Sequence, residues 1–370
     1  MAKLSHAHPL LPLALAVALV PACQESSGGA GEGVAGDDDD ALPTGPEVMA
    51  NTVDNTIVPD FAAFADATEA MQAEIDAFCA APSADTLATV QAQWRSLSES
   101  WNAVVPYNLG PLDDDFIVPK IILVESMRQR GENYINTVRE SAGQAIEGED
   151  PLDTDFIEGL TFNKVGLLAL EVLVFEDSRE GNSTDPADVL ADFEARPRKC
   201  GYLRGINERL VATAAEVELG WSQSFQEGEA FRDTMLGTEL PDGAEPVAAL
   251  LIALQEHFVY LRDRKLDGIL DAQLSGHFYP NVSAMLDAFE RLLEQPDPED
   301  EAGILDFMDA YGFDADAQTV RDNLAAAKAA AVAEDREGLS AAIGLLDGNV
   351  KREIPDALGV ELGLTFSDGD

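Results

Sequence analysis

Apolar residues spaced three and four apart recur from Ile57 almost to the end of the chain, and that period rules out most folds. Ile57, Phe61, Phe64, Thr68, Met71, Ile75 and Phe78 form one continuous stripe on a helix of about 3.6 residues per turn. After a break at Pro82, with Ser83 placed as an N-cap, Leu87, Val90, Trp94, Leu97, Trp101 and Val104 form a second. Similar stripes cover residues 117–138, 156–175, 200–225, 247–269, 285–293 and 339–350, and an Ala-rich stretch at 324–332 adds a strong helix former. Turn signals at Gly110-Pro111, Gly181 to Pro186, Pro241 to Pro246 and Pro296 to Asp300 separate them. No sustained apolar–polar alternation suggests a sheet. The expectation is an all-α protein of two helical bundles, 56–238 and 239–370, with the Trp and Phe residues of the stripes in the core.

The first 55 residues follow different rules. A lone basic Lys3 precedes the apolar stretch Leu10 to Val20, and Ala22 stands directly before Cys23. A run of about 11 apolar residues falls short of the roughly 20 that cross a bilayer, so residues 1–22 read as a cleaved signal. A small residue followed by Cys at that boundary resembles the bacterial lipobox. Cys23 is therefore the expected lipidation site, the alternative being an ordinary secretory signal with an incidental Cys. Residues 23–55 are Gly, Ser, Ala and acids, including Asp37 to Asp40, with no hydrophobic period, and are expected to form a disordered spacer. The implied place is the cell envelope, with the membrane as a partner through the lipid. Gln24, rather than Asp, after the Cys points to the outer membrane facing the periplasm.

Charge narrows the partners. The chain carries 69 acidic against 23 basic residues, a net charge of −46, so nothing in it neutralises a phosphate backbone and nucleic acid is excluded as a ligand. With Cys23 assigned to lipid, Cys79 and Cys200 remain as an even pair in an oxidising compartment and are expected to be bridged; the alternative is two buried free thiols. His257 and His277 are the only histidines after the signal. There is no HExxH, no GxSxG, no phosphate-cradling glycine loop and no CxxC.

One site stands out. In Lys164-Val-Gly-Leu-Leu-Ala-Leu-Glu-Val-Leu-Val-Phe175, Glu171 interrupts a helix that is apolar on every side. Such a helix is buried, and a buried carboxylate needs a proton, a cation or strong donors. Glu171 is either a structural residue held by a neighbouring Arg or helix-terminal amides, or part of a ligand or metal site. Gly166 in the same run allows a close backbone approach.

Here the chain resembles the imelysin-like family, in pieces that recur in order over most of residues 60–370. They are Trp94 and Trp101, Tyr107 to Pro111, Gly166 to Phe175, Arg198 to Leu203, Arg262 to Leu266, and the terminal Leu358 to Asp370. The resemblance implies two helical bundles with a site at their junction, an envelope lipoprotein, and a link to iron uptake with its outer-membrane receptor partners. Some members are named peptidases, an activity the fold does not establish. The family signature Gly-x-His-x-x-Glu maps onto Gly166, Leu168 and Glu171, with Leu168 at the histidine position. Half of a helical His/Glu ligand pair is thereby replaced, leaving a carboxylate site for iron or another hard cation, or a non-metal pocket. Arg262, Lys265, Asp368 and Asp370 are the expected companions of Glu171, as the other polar points of the resemblance. Three functions follow: an envelope-tethered protein binding iron or an iron-bearing ligand, a metallopeptidase, or a helical interaction scaffold.

Overall fold

The computed structural model describes residues 42–115, 117–129, 133–179, 181–295 and 302–362. Among them every regular element is helical. Cys23, the spacer up to residue 41, the Pro296 to Asp300 turn, Asp368 and Asp370 lie outside the described residues.

The chain enters its first helix earlier than its composition suggests. Thr44 caps α1 (Gly45–Thr52) reciprocally with Glu47, and a π-helical turn, Val53–Ile57, carries it into α2 (Val58–Ala80). Residues 45–55 are therefore helical, not part of a disordered spacer. Thr44-x-x-Glu47 is a capping box, and Val48, Thr52 and Val53 are buried, which supplies both a start signal and a reason to fold. Ser83 caps α3 (Ala84–Val104), and α2 and α3 pack side by side.

The stripe expected as one helix from 117 to 138 is broken. Pro119 starts the single turn α4 (Lys120–Val124), a 3-10 turn follows at Ser126–Gln129, and α5 (Ile135–Glu147) comes after. Ile117, at the start of that stripe, is 74% exposed. The stripe from 156 to 175 is also two elements, α6 (Thr154–Glu158) and α7 (Gly166–Phe175), parted by Gly159 and the 3-10 turn Phe162–Lys164. Then come α8 (Pro186–Ala195), the long α9 (Arg198–Ser222) and α10 (Phe231–Met235). A disulfide joins Cys79, at the end of α2, to Cys200 at the start of α9.

The second group begins with Pro246 at the first position of α11 (Pro246–Tyr260), which widens into a π-helical turn, Leu261–Leu266. α12 (Phe278–Leu293), α13 (Ile304–Ala310), α14 (Asp314–Val332), α15 (Arg336–Lys351) and α16 (Glu353–Leu358) complete it. Around α2 gather α3 and α9; α14 and α15 pair, with α11 on α15 and α12 on α14. The two helix groups meet where α12 packs on α3, where Asn281 donates to Ser98 Oγ at 2.8 Å, and share one continuous hydrophobic core. Among the described residues no helix is long and apolar enough to cross a membrane.

Candidate functional site

Glycine sets where α7 begins. Gly166 has φ +75°, and a Cβ there would sit 2.3 Å from the Val124 carbonyl oxygen and 2.5 Å from that of Leu123. Only glycine lets the start of α7 press onto the end of α4. From that start the helix runs past α3, α5 and α9, and its residues are buried all round apart from the half-buried Leu168. Glu171 is one turn in and 2% exposed.

The carboxylate is held from across the junction by the segment that links the Leu261–Leu266 turn to α12. The Ser275 backbone N–H donates to Glu171 Oε1 at 2.9 Å and the Ser275 hydroxyl at 2.8 Å. Arg95 of α3 donates to the Ser275 carbonyl at 3.4 Å and lies 4.9 Å from the Phe175 ring centroid, tying the segment to both helices. Ala272 in this segment has φ +49°, a left-handed conformation that costs a non-glycine residue roughly 1–2 kcal/mol. Burial pushes the Glu171 carboxyl up to about 7, against the lowering effect of the Ser275 hydrogen bonds; the charge of Asp271 adds to the rise.

Beside Glu171 is a recess of about 50 Å³. Its inner wall is Trp94, Trp101, Leu167 and Glu171, and its rim, partly exposed, is formed by Asn133, Ile135, Leu270 and Gln273. Leu168 and Asp271 also line it. Both inner indole N–H groups are already engaged: Trp94 donates to the Leu167 carbonyl at 3.1 Å and Trp101 to Glu125 Oε2 at 2.9 Å.

Glu125, at the end of α4, anchors a charged network behind the recess. Lys265 Nζ stands 2.7 Å from Glu125 Oε1 and 2.7 Å from Asp271 Oδ2, and the Tyr260 hydroxyl donates to Glu125 Oε1 at 2.8 Å. The π-helical turn is what brings Lys265 inward, because it resets the register of α11 so that Leu261, Lys265 and Leu266 are all buried. Burial alone would raise the Glu125 carboxyl. The Lys265 and Arg128 charges and two hydrogen bonds outweigh it and bring Glu125 down to about 2. For Asp271 burial wins and its carboxyl lies above the usual range, Lys265 notwithstanding. Asp271 Oδ1 is buried without a hydrogen-bond partner.

The histidines take no part in the recess. Burial and the adjacent Arg128 charge hold His257 neutral. A guanidinium only donates, so the Arg128–His257 bond makes Nδ1 the acceptor and leaves the proton on Nε2. His277 bonds Glu99 at 2.6 Å through Nε2.

Of the residues singled out in the sequence, Leu168 and Glu171 meet at the recess, Gly166 instead sets the start of α7 against α4, and Lys265 reaches the recess through Asp271. Arg262 does not reach it: it pairs with Asp263 at 2.7 Å and approaches Asp347 of α15 at 3.7 Å. Sequence reasoning missed Glu125, Asp271 and Ser275. Glu125 carried a usable signal, a single acid closing the apolar run Ile121 to Val124; Asp271 and Ser275, in a polar connection, carried none.

These residues do not by themselves make an iron site. Among the described residues no group of three or more His, Cys, Asp or Glu gathers in a way that could hold a metal ion. The recess is lined by Glu171, Asp271 and Glu125, the last with both oxygens already bonded, and an apolar Leu168 lines it where a histidine would complete the helical pair.

A family model described as imelysin, of the M75 peptidase class, matches residues 57–359. An imelysin-like protein from Psychrobacter arcticum 273-4 superposes with a TM-score of 0.66 at 15% identity, over 88% of this chain and 99% of the other. A protein of Parabacteroides distasonis ATCC 8503 described as an iron-regulated protein A precursor does so with a TM-score of 0.54 at 14% identity, over 86% and 97%. These likenesses concern the fold. No curated protein matches the chain.

Proposed function

The chain belongs to the imelysin family, and on that premise we propose that it is an envelope-tethered binding protein that takes an iron-bearing ligand at the recess beside Glu171. Cys23 is its lipid anchor, and its working partners are iron-uptake components of the outer membrane. The observation that carries the reading is Glu171: a carboxyl 2% exposed, at the wall of a recess, held by Ser275 and joined to no cationic side chain among the described residues. A structural acid of this kind is normally paired, as Asp192 is with Lys199 at 2.8 Å elsewhere in the same fold. An unpaired one facing a recess is suited to meet its partner from outside.

The iron arrives already coordinated in this account, since Leu168 removes the histidine that a bare ion would need. The similar protein described as iron-regulated protein A lends iron its priority over other cargo. Hydrolysis is the weaker reading. Its best nucleophile is Ser275, whose hydroxyl is 2.8 Å from Glu171, but Ser275 does not line the recess.

The test is a panel of iron(III) chelates titrated into the full chain, wild type and Glu171→Gln, followed by tryptophan fluorescence. At least one chelate binds wild type saturably and binds Glu171→Gln at least tenfold more weakly, about 1.4 kcal/mol. Bare iron gains affinity only in Leu168→His. Turnover of a peptide library that is lost in Ser275→Ala would replace binding with hydrolysis.

A further inference from the structure

The recess has a size, a charge and a buried carboxylate without a cationic partner among the described residues, and together these say more than that something binds. We propose that it is an ammonium pocket, reading a primary amine carried by the ligand, with Glu171 as its charged acceptor, Asp271 beside it, and Trp94 and Trp101 as walls. This rests on the binding reading above and names the chemical group it recognises.

Size comes first. One water needs roughly 10–15 Å³ of such space, so a recess of about 50 Å³ admits a few heavy atoms and no more. A terminal CH₂–NH₃⁺ fits, and the body of a chelate stays outside the rim of Asn133 and Gln273.

Charge comes second. Glu125, Asp271 and Glu171 are carboxylates of the lining, and among the described residues none of it favours an anion. Lys265 is shared between Glu125 and Asp271 at 2.7 Å each, and Arg128 is turned to His257 and the Tyr260 ring, 4.4 Å from its centroid, with its Nε buried and unbonded. Among the described residues no cation is left for Glu171.

The acceptors decide between kinds of cation. Both Glu125 oxygens are taken, by Lys265, Tyr260 and Trp101. Asp271 also lines the recess, and its Oδ1, closed off from solvent, has no hydrogen-bond partner; the acceptor presented to a ligand is Glu171. A hard metal ion wants about six oxygen ligands or more, which the described residues of this wall do not supply. An ammonium has three donors and no acceptor, and needs only two or three partners. The indole walls are compatible with it, because both indole N–H groups are already bonded, to the Leu167 carbonyl and to Glu125, and so present no free donor to repel an ammonium. A neutral hydroxyl of equal size would leave Glu171 without a counter-charge.

Ethylammonium is the probe, with ethanol as its neutral counterpart and tetramethylammonium as a cation too wide to enter. Each is titrated into the full chain at pH 8 and constant ionic strength, reading tryptophan fluorescence and melting temperature. Ethylammonium is expected to saturate in about the millimolar range, the ceiling for so few heavy atoms. Ethanol and tetramethylammonium should give no saturable change, and Glu171→Gln should weaken ethylammonium at least tenfold. Asp271→Asn should weaken it too; because that change strips Lys265 of a partner, Glu171→Gln, which keeps the volume, is the deciding variant. An equal response to ethanol, or an unchanged one in Glu171→Gln, overturns the ammonium assignment. If a chelate without an amine binds in a Glu171-dependent way while ethylammonium does not, the assignment falls and the binding function stands.

Discussion

Glu171→Gln should make the protein more stable at neutral and higher pH, although it removes a buried charge from a family motif. The Glu171 carboxyl titrates near 7 in the fold, against its ordinary 4.5. The folded chain therefore keeps a proton that the unfolded chain releases in that window. The stability associated with the protonated form is complete below 4.5 and is lost as pH rises through 7. Each pH unit of difference is worth about 1.4 kcal/mol, so the loss totals about 3 kcal/mol, most of it between pH 5 and pH 8. Glutamine has the same volume, offers Ser275 an amide oxygen in place of the carboxylate, and does not titrate. Urea unfolding followed by circular dichroism at pH 5, 6, 7 and 8, with the disulfide intact and salt fixed, reads the difference between variant and wild type. Slopes from the many other acids are common to both chains and cancel. The difference should be small at pH 5 and grow to about 3 kcal/mol in favour of Gln at pH 8. A difference that stays flat across this range would refute the burial argument, and with it the claim that Glu171 lacks a cation.

Gly166→Ala should cost at least about 2 kcal/mol in the same unfolding assay, since a Cβ there meets two carbonyl oxygens in a left-handed backbone conformation; a change below 0.5 kcal/mol would mean that α7 and α4 do not meet as described. Replacing Cys79 and Cys200 together by Ser should lower stability by up to about 5 kcal/mol, because the bridge spans a sequence separation of 121; an unchanged denaturation midpoint would remove the disulfide from the account. Cys23→Ser should move the protein from the membrane pellet to the soluble periplasmic fraction, and a variant that still floats with lipid would remove the lipid anchor.

How much was legible depended on whether a residue's role is local. The stripes on α2, α3, α9 and α15 place their core residues directly, because burial of one helical face leaves a period in the sequence. The stripes near 117–138 and 156–175 misled, since apolar spacing persists through short turns that are also buried; Pro119, Gly159 and Gly166 were the breaks to weigh. Glu171 could be found because a lone acid in an apolar helix has no local justification. Its partner could not: Ser275 comes from a polar connection 104 residues away, with no period and no motif. Lys265 was chosen by resemblance, yet its inward turn depends on a π-helical register shift that spacing does not announce.

The central claim, that the recess beside Glu171 is where ligand binds, can be read from the protein's own tryptophans. The chain has three. Trp94 and Trp101 line the recess, whereas Trp221 is buried elsewhere, stacked 5.2 Å from Phe61. Indole N–H spectra of nitrogen-15-labelled protein, titrated with ethylammonium and with the gallium(III) form of a bound chelate, report on all three at once. The account predicts saturable shifts at Trp94 and Trp101, none at Trp221, and the loss of both shifts in Glu171→Gln. Binding that moves Trp221 alone, or leaves all three indoles in place, would put the ligand somewhere else and contradict it.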